Sequence, residues 1–192
     1  SHRKTTDMNI IVRPYGRDLC YCRPDTTWER ENKDFYVPDG VESLEWAPII
    51  FVRISKAGKC IGRKFASRYH DAFNFGVLLY GITAEGTAER AFSSCMDHTS
   101  LLPAPLYNPI VMEHPDNIFE VNKNGETIFS TNNIAAGPTF KEMIENAICK
   151  ASQLTTLRIG DYIAIELAPV SLMAASCDGE TSLKATYCEN EL

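Results

Sequence analysis

Two apolar runs, Ala47 to Ser55 and Phe73 to Ile82, constrain this chain most. The first is rich in Ile and Val and is bounded by the turn Pro38-Asp39-Gly40 and by Gly58. Both are far shorter than the roughly 20 residues that a membrane-crossing helix needs, so they read as buried strands. The other segments follow the same pattern. Met8 to Arg13 and Leu19 to Cys22 read as strands around a Pro14–Gly16 turn. Ile118 to Thr131 reads as a hairpin, because Asn124-Gly125 suits the positive φ of a tight turn. Tyr162 to Leu167 and two final strands meeting at Asp178-Gly179 bring the count to roughly ten. Helical spacing occurs in Gly62 to Ala72, through Phe65, Ala66, Tyr69 and Ala72, and in Pro138 to Ser152. Thr139 and Glu142 stand at capping spacing in the second helix, with Pro138 competing for the first turn. These expectations describe one α+β domain over residues 1–192, mostly β, rolled or barrel-like, with two short helices.

Charge narrows the partners. With 19 Lys and Arg against 25 Asp and Glu, the net charge is −6. That balance offers no footprint for a phosphate backbone or an anionic bilayer, so neither nucleic acid nor membrane is expected. The seven cysteines include no CxxC pair, which points to reduced thiols in a cytoplasmic protein, read as small buried hydrophobes.

Three segments carry a resemblance. The stretch from Val52 through Gly58-Lys59 to Ala72, the hairpin Phe119 to Ile128, and Ala151 to Asp161 with its Thr156-Leu157-Arg158-Ile159-Gly160-Asp161 approach resemble, in that order, bacterial members of the fumarylacetoacetate hydrolase family. Residues 1–22 match poorly. The resemblance implies a mixed β-roll, usually a homodimer, acting on acylpyruvates or related β-keto acids. It also implies a divalent Mg or Mn ion, held by three carboxylates, that stabilises a developing enolate.

Carried over residue by residue, the family's ligand positions are Ala47, Ile49 and Leu78. Mg²⁺ and Mn²⁺ require oxygen donors, and none of these side chains offers one, so no metal cofactor is expected there. Matching the family's later aspartate to Asp97 puts Ser94 where a lysine often stands. The family's threonine- and glycine-bearing turn becomes Ile165-Glu166-Leu167-Ala168.

Glu85, Glu89, Asp97 and His98 could rebuild a metal or acid–base cluster; the alternative is a solvated loop. His70 reads as a half-buried helix histidine. Arg53, Arg63, Lys64 and Arg68 cluster near the first helix, either around an anionic ligand or as ordinary solvated charges. The sequence therefore favours a catalytically degenerate, non-metal-binding homodimer, with an apolar pocket packed shut or open to a small apolar or keto-acid ligand. The alternatives are a metal-dependent hydrolase or isomerase and a non-catalytic partner of an active paralogue.

Overall fold

The computed structural model describes residues 8–84, 90–133, 139–175 and 177–192. Strands β1 (Ile10–Arg13), β2 (Tyr21–Arg23) and β3 (Trp28–Glu29) lead into the long β4 (Val41–Ile54). One helical turn, α1 (Arg63–Ala66), precedes the equally long β5 (His70–Thr83). Then come α2 (Arg90–Ser93), β6 (Ser100–Leu101), β7 (Phe119–Lys123), β8 (Glu126–Thr131), α3 (Phe140–Leu154), β9 (Tyr162–Glu166), β10 (Ser171–Ala175), β11 (Leu183–Tyr187) and β12 (Asn190–Glu191).

Eight strands form one curled, mixed sheet in the order β2-β1-β9-β4-β5-β6-β3, with β10 added on β4. The pairs β1–β9 and β3–β6 are parallel and the others antiparallel. A second sheet runs β12-β11-β7-β8. Alternation along β4 splits the core in two. Ile50, Val52 and Ile54 face α3 and the second sheet, joining Phe75, Phe119, Phe140, Ile144 and Ile148. Ala47, Ile49 and Phe51 face the other way, with Ile10, Val12, Leu78 and Ala164. A sheet buried on both faces explains why β4 and β5 read as unbroken apolar runs.

Pro48 lies inside this central strand, where a missing N–H ordinarily breaks a ladder. It sits where β4 changes partner, from β9 at Ile49 to β10 at Trp46. Its carbonyl still accepts from Leu167 N at 2.8 Å. Asn124 and Gly125 take φ of 51° and 87°, the positive pair that a type I′ hairpin turn requires. Thr139 caps α3: its hydroxyl accepts from Glu142 N at 3.3 Å, and Glu142 Oε2 accepts from Thr139 N at 2.9 Å.

Several expectations are corrected. The helix over Gly62 to Ala72 is a single turn, because from His70 onward the backbone pairs with β4. Ladder bonds to a central strand outweigh the weak helical spacing of four residues. His70 is therefore on a strand, although it is half-buried as expected. A third helix, α2, forms within a stretch that had no helical pattern. The last two strands do not meet at Asp178-Gly179: β10 pairs with β4 and β11 with β7, so the chain changes sheets there. Cys22, Cys60, Cys95 and Cys177 are exposed rather than buried.

Candidate functional site

The three positions to which the resemblance carries the family's ligands lie together. Ala47 and Leu78 are directly opposed on β4 and β5, and Ile49 is two residues along the same face of β4. All three are fully buried, packed with Val12, Phe51 and Ala164. Their environment is aliphatic and aromatic, so a divalent cation would find no oxygen from them and would lose its hydration besides. The residues present at these positions do not fit the metal that the fold family implies.

One acid does reach this face, and sequence reasoning passed over it. Glu166 ends β9 directly opposite Ile49, so both side chains project to the same side of the sheet. It is 3% exposed, and its two oxygens have different donors. Tyr80 Oη donates to Oε1 at 2.5 Å, and the backbone N–H of Tyr15 donates to Oε2 at 2.9 Å. Tyr80 lies two residues beyond Leu78 on β5, and its hydroxyl also bonds that of Tyr21. Burial pushes the Tyr80 pKa well above the ordinary tyrosine value, with the Tyr21 and Glu166 charges adding to it. Tyr80 is therefore a neutral donor throughout the physiological range. The signal was present in the sequence: a carboxylate closing an otherwise apolar strand, Tyr162-Ile-Ala-Ile-Glu166, is the buried polar residue that calls for an explanation.

Arg23 completes the group. It pairs with Ile10 across β1 and β2, which sends its side chain to the same face, where it is fully buried. Its Nη2 donates to Leu79 O at 2.9 Å and to Thr99 Oγ1 at 2.6 Å, and Nε donates to Ser94 O at 3.1 Å. The guanidinium lies 5.0 Å from the centre of the Tyr80 ring. Burial lowers its pKa, opposed by Tyr21, Tyr80 and Glu166; a guanidinium remains charged regardless. At Ser94, where the resemblance puts a lysine, the positive charge thus arrives from β2 instead.

The other candidates scatter. Glu85 and Glu89 lie outside the described residues. Asp97 is exposed, and His98, at φ 59°, pairs through Nδ1 with the buried Glu29 at 2.8 Å. Burial alone would raise the Glu29 pKa, but the Glu31 N–H, His98 and the Lys33 N–H together hold it below its ordinary value. Among the described residues, no three His, Cys, Asp or Glu side chains are grouped to hold a metal ion. The basic cluster also separates. Arg53 makes a two-point contact with Asp71 at 3.0 and 2.9 Å, while Lys64 and Arg68 lie over the Phe65 ring. Only Arg63 turns toward a cleft. Among the described residues, no helix is long and apolar enough to cross a membrane.

A mixed β-roll with a central pair of long antiparallel strands, whose inner face meets the end of β9, defines the class: this is the fold of the fumarylacetoacetate hydrolase family. Similar solved structures include a candidate isomerase of Escherichia coli, with TM-score 0.75 and 13% identity over 97% of this chain and 90% of that one. Another is maleylpyruvate hydrolase from Sphingobium sp. SYK-6, with TM-score 0.70 and 15% identity over 97% and 68%. A third is fumarylpyruvate hydrolase from Pseudomonas aeruginosa in complex with Mn²⁺ and pyruvate, with TM-score 0.69 and 12% identity over 97% and 94%. Identities this low carry the fold and nothing finer. No family model and no curated protein matches the sequence.

Proposed function

We propose that this chain keeps the fumarylacetoacetate hydrolase fold without its divalent-metal chemistry, and serves as a binding or structural protein that pairs with a second copy of itself. One observation supports this reading above others. The side chains of Ala47, Ile49 and Leu78 meet on one face with no exposed surface, where the family needs three carboxylates around an ion. Such a face is packed shut and disfavours any charge placed in it. Nothing in this reading requires the fold to be damaged, because the substitutions extend an apolar core.

The test is direct. The purified protein is assayed for bound divalent metal, for thermal stabilisation by excess Mg²⁺ or Mn²⁺, and for cleavage of acylpyruvates with either ion present. The proposal expects no bound metal, an unchanged melting temperature and no turnover, because a ligand that binds only the native state must raise its stability. Stabilisation by Mn²⁺ together with acylpyruvate cleavage would establish the opposite.

Glu166 supports a second reading, that of a hydrolase or isomerase like the named neighbours. It is an acid on the inner face, and with Tyr80 as donor it could move a proton without the lost ligands. Turnover in the presence of a chelator would favour it.

A further inference from the structure

Strand β4 is oppositely charged at its two ends. The segment that leads into it, residues 34–45, carries Asp34, Asp39, Glu42 and Glu45 and no base. The connection that leaves it toward β5, residues 55–70, carries Lys56, Lys59, Arg63, Lys64 and Arg68 and no acid, in a chain whose net charge is −6. Asp34, Asp39 and Glu42 are exposed, as are all five bases. None of these side chains makes an ion pair among the described residues. Nor can the two ends satisfy one another. β4 has 14 residues, which at about 3.3 Å per residue sets its ends roughly 40 Å apart. That is several times the screening length of about 8 Å at physiological salt.

Each end also exposes an aromatic ring. Tyr36 is 83% exposed at the acidic end. At the basic end Phe65 is 42% exposed, with Lys64 Nζ 4.9 Å and the Arg68 guanidinium 5.7 Å from its ring centre. The basic connection holds a fixed shape. Gly58 and Leu157 exchange backbone bonds at 3.1 and 2.9 Å, Cys60 N donates to Ser152 O at 2.8 Å, and Ile61 and Ala66 are buried in the core. Its charges are therefore presented without an ordering cost on binding. A phosphate backbone or an anionic bilayer would suit the basic end but be repelled by the rest of the chain. A second copy suits both ends at once.

We propose that the two ends of β4 are the interface between two copies of this chain, lying antiparallel so that residues 34–42 of each meet residues 56–68 of the other. This deepens the self-pairing proposed above and rests on it. A two-fold axis repeats each contact, so the pair closes and leaves no charged end for a third copy. Tyr36 of the second copy lies against Phe65, Lys64 and Arg68, where ring and cation attract, and opposite charges meet around them.

The experiment is sedimentation velocity of the whole chain over a range of concentrations at low and high salt. A dimer is expected, about tenfold weaker or more at high salt. Lys64→Glu with Arg68→Glu, and separately Asp34→Lys with Asp39→Lys, are exposed changes, and each double variant alone should dimerise about tenfold more weakly or worse. Mixed in equal amounts, the two should pair again, because each reversed end then meets its opposite. A natural chain that stays monomeric would overturn the interface and the self-pairing together. A dimer indifferent to salt and to both double variants would overturn the interface alone, as would double variants that keep the natural melting temperature yet fail to pair when mixed. Assemblies growing beyond two copies would overturn the two-fold arrangement.

Discussion

The Tyr80 hydroxyl donates to Glu166 Oε1 at 2.5 Å, bridging β5 to β9 on the inner face of the sheet. This bond lies one side-chain step beyond Leu78, so the same face changes abruptly from aliphatic packing to a hydrogen-bonded group. The burial of Glu166 depends on it. A carboxyl group that is 3% exposed has lost its water and needs protein donors in its place. Tyr80→Phe removes one of two donors and leaves a ring of the same shape. The expected loss is about 1–3 kcal/mol of unfolding free energy, measured by urea denaturation at neutral pH. An unchanged midpoint would mean that Tyr80 does not hold Glu166. Glu166→Gln should cost a similar amount, because its one carbonyl can accept from only one of the two donors while its NH2 faces the other.

His70 supplies a pH dependence with a definite sign. Burial lowers its pKa from the ordinary value, opposed by the neighbouring Asp71. The folded chain therefore holds this proton less tightly than the unfolded chain does. Stability is full above the unfolded pKa of about 6.5 and falls as pH drops through it. Glu29 runs in a different window, because its lowered pKa makes its contribution persist until pH falls below the ordinary glutamate range. Urea unfolding at about pH 7.5 and about pH 5.5 brackets the ordinary histidine range. His70→Phe should shrink the difference between the two conditions, and an undiminished difference would assign the slope to another group.

The strands were legible because their physics is local. Alternating and continuous apolar runs fixed β4, β5, β7 and β9, and Asn124-Gly125 marked its own turn. What escaped was pairing. Nothing near Ala72 announces that β4 will claim the chain from His70 onward, and nothing at Asp178 says that β10 and β11 belong to different sheets. The inner face was half legible. Ala47, Ile49 and Leu78 lie together because β4 and β5 pair without interruption along this stretch. Glu166 and Arg23 were missed because their convergence with Tyr80 depends on β1, β2 and β9 meeting in one sheet, and residues 1–22 gave little guide to that. Of the acid and histidine candidates in the loop after β5, Asp97 and His98 are among the described residues. The partner that His98 takes, Glu29 on β3, is distant in sequence, so nearness to Asp97 did not announce it.

Two glycines on β5 test how tightly its neighbours close on it. A Cβ on Gly76 would lie 2.2 Å from the Leu101 carbonyl oxygen, a backbone atom held in β6. A Cβ on Gly81 would lie 2.3 Å from Met96 Sδ, part of a flexible side chain. The overlaps are nearly equal, but only the methionine can rotate away. Gly76→Ala should destabilise the chain by about 3 kcal/mol or prevent folding, while Gly81→Ala should cost about 1 kcal/mol. Thermal melts of the two variants side by side decide the matter; equal losses would show that the strand around Leu101 moves as readily as Met96.

The strongest probe of the inner face restores what it lacks. Ala47 and Leu78 are directly opposed, and Ile49 is one side-chain step away, so Ala47→Glu, Ile49→Glu and Leu78→Asp would bring three carboxylates into one fully buried space. Without a cation they repel one another, and each loses hydration at an effective cost of several kcal/mol, which should lower the melting temperature sharply at neutral pH. A divalent ion reverses the sign, because carboxylates that destabilise the empty fold become its ligands. Mn²⁺ at about 100 times its dissociation constant adds about 2.7 kcal/mol through binding to the native state alone. The triple variant should therefore gain melting temperature with Mn²⁺ while the natural chain stays constant. Leu78→Asp alone, with a single buried acid, should fold less stably than the natural chain and gain little from the ion. If the triple variant folds well without metal and ignores Mn²⁺, these three positions do not converge as described, and the argument from the missing oxygens fails with them.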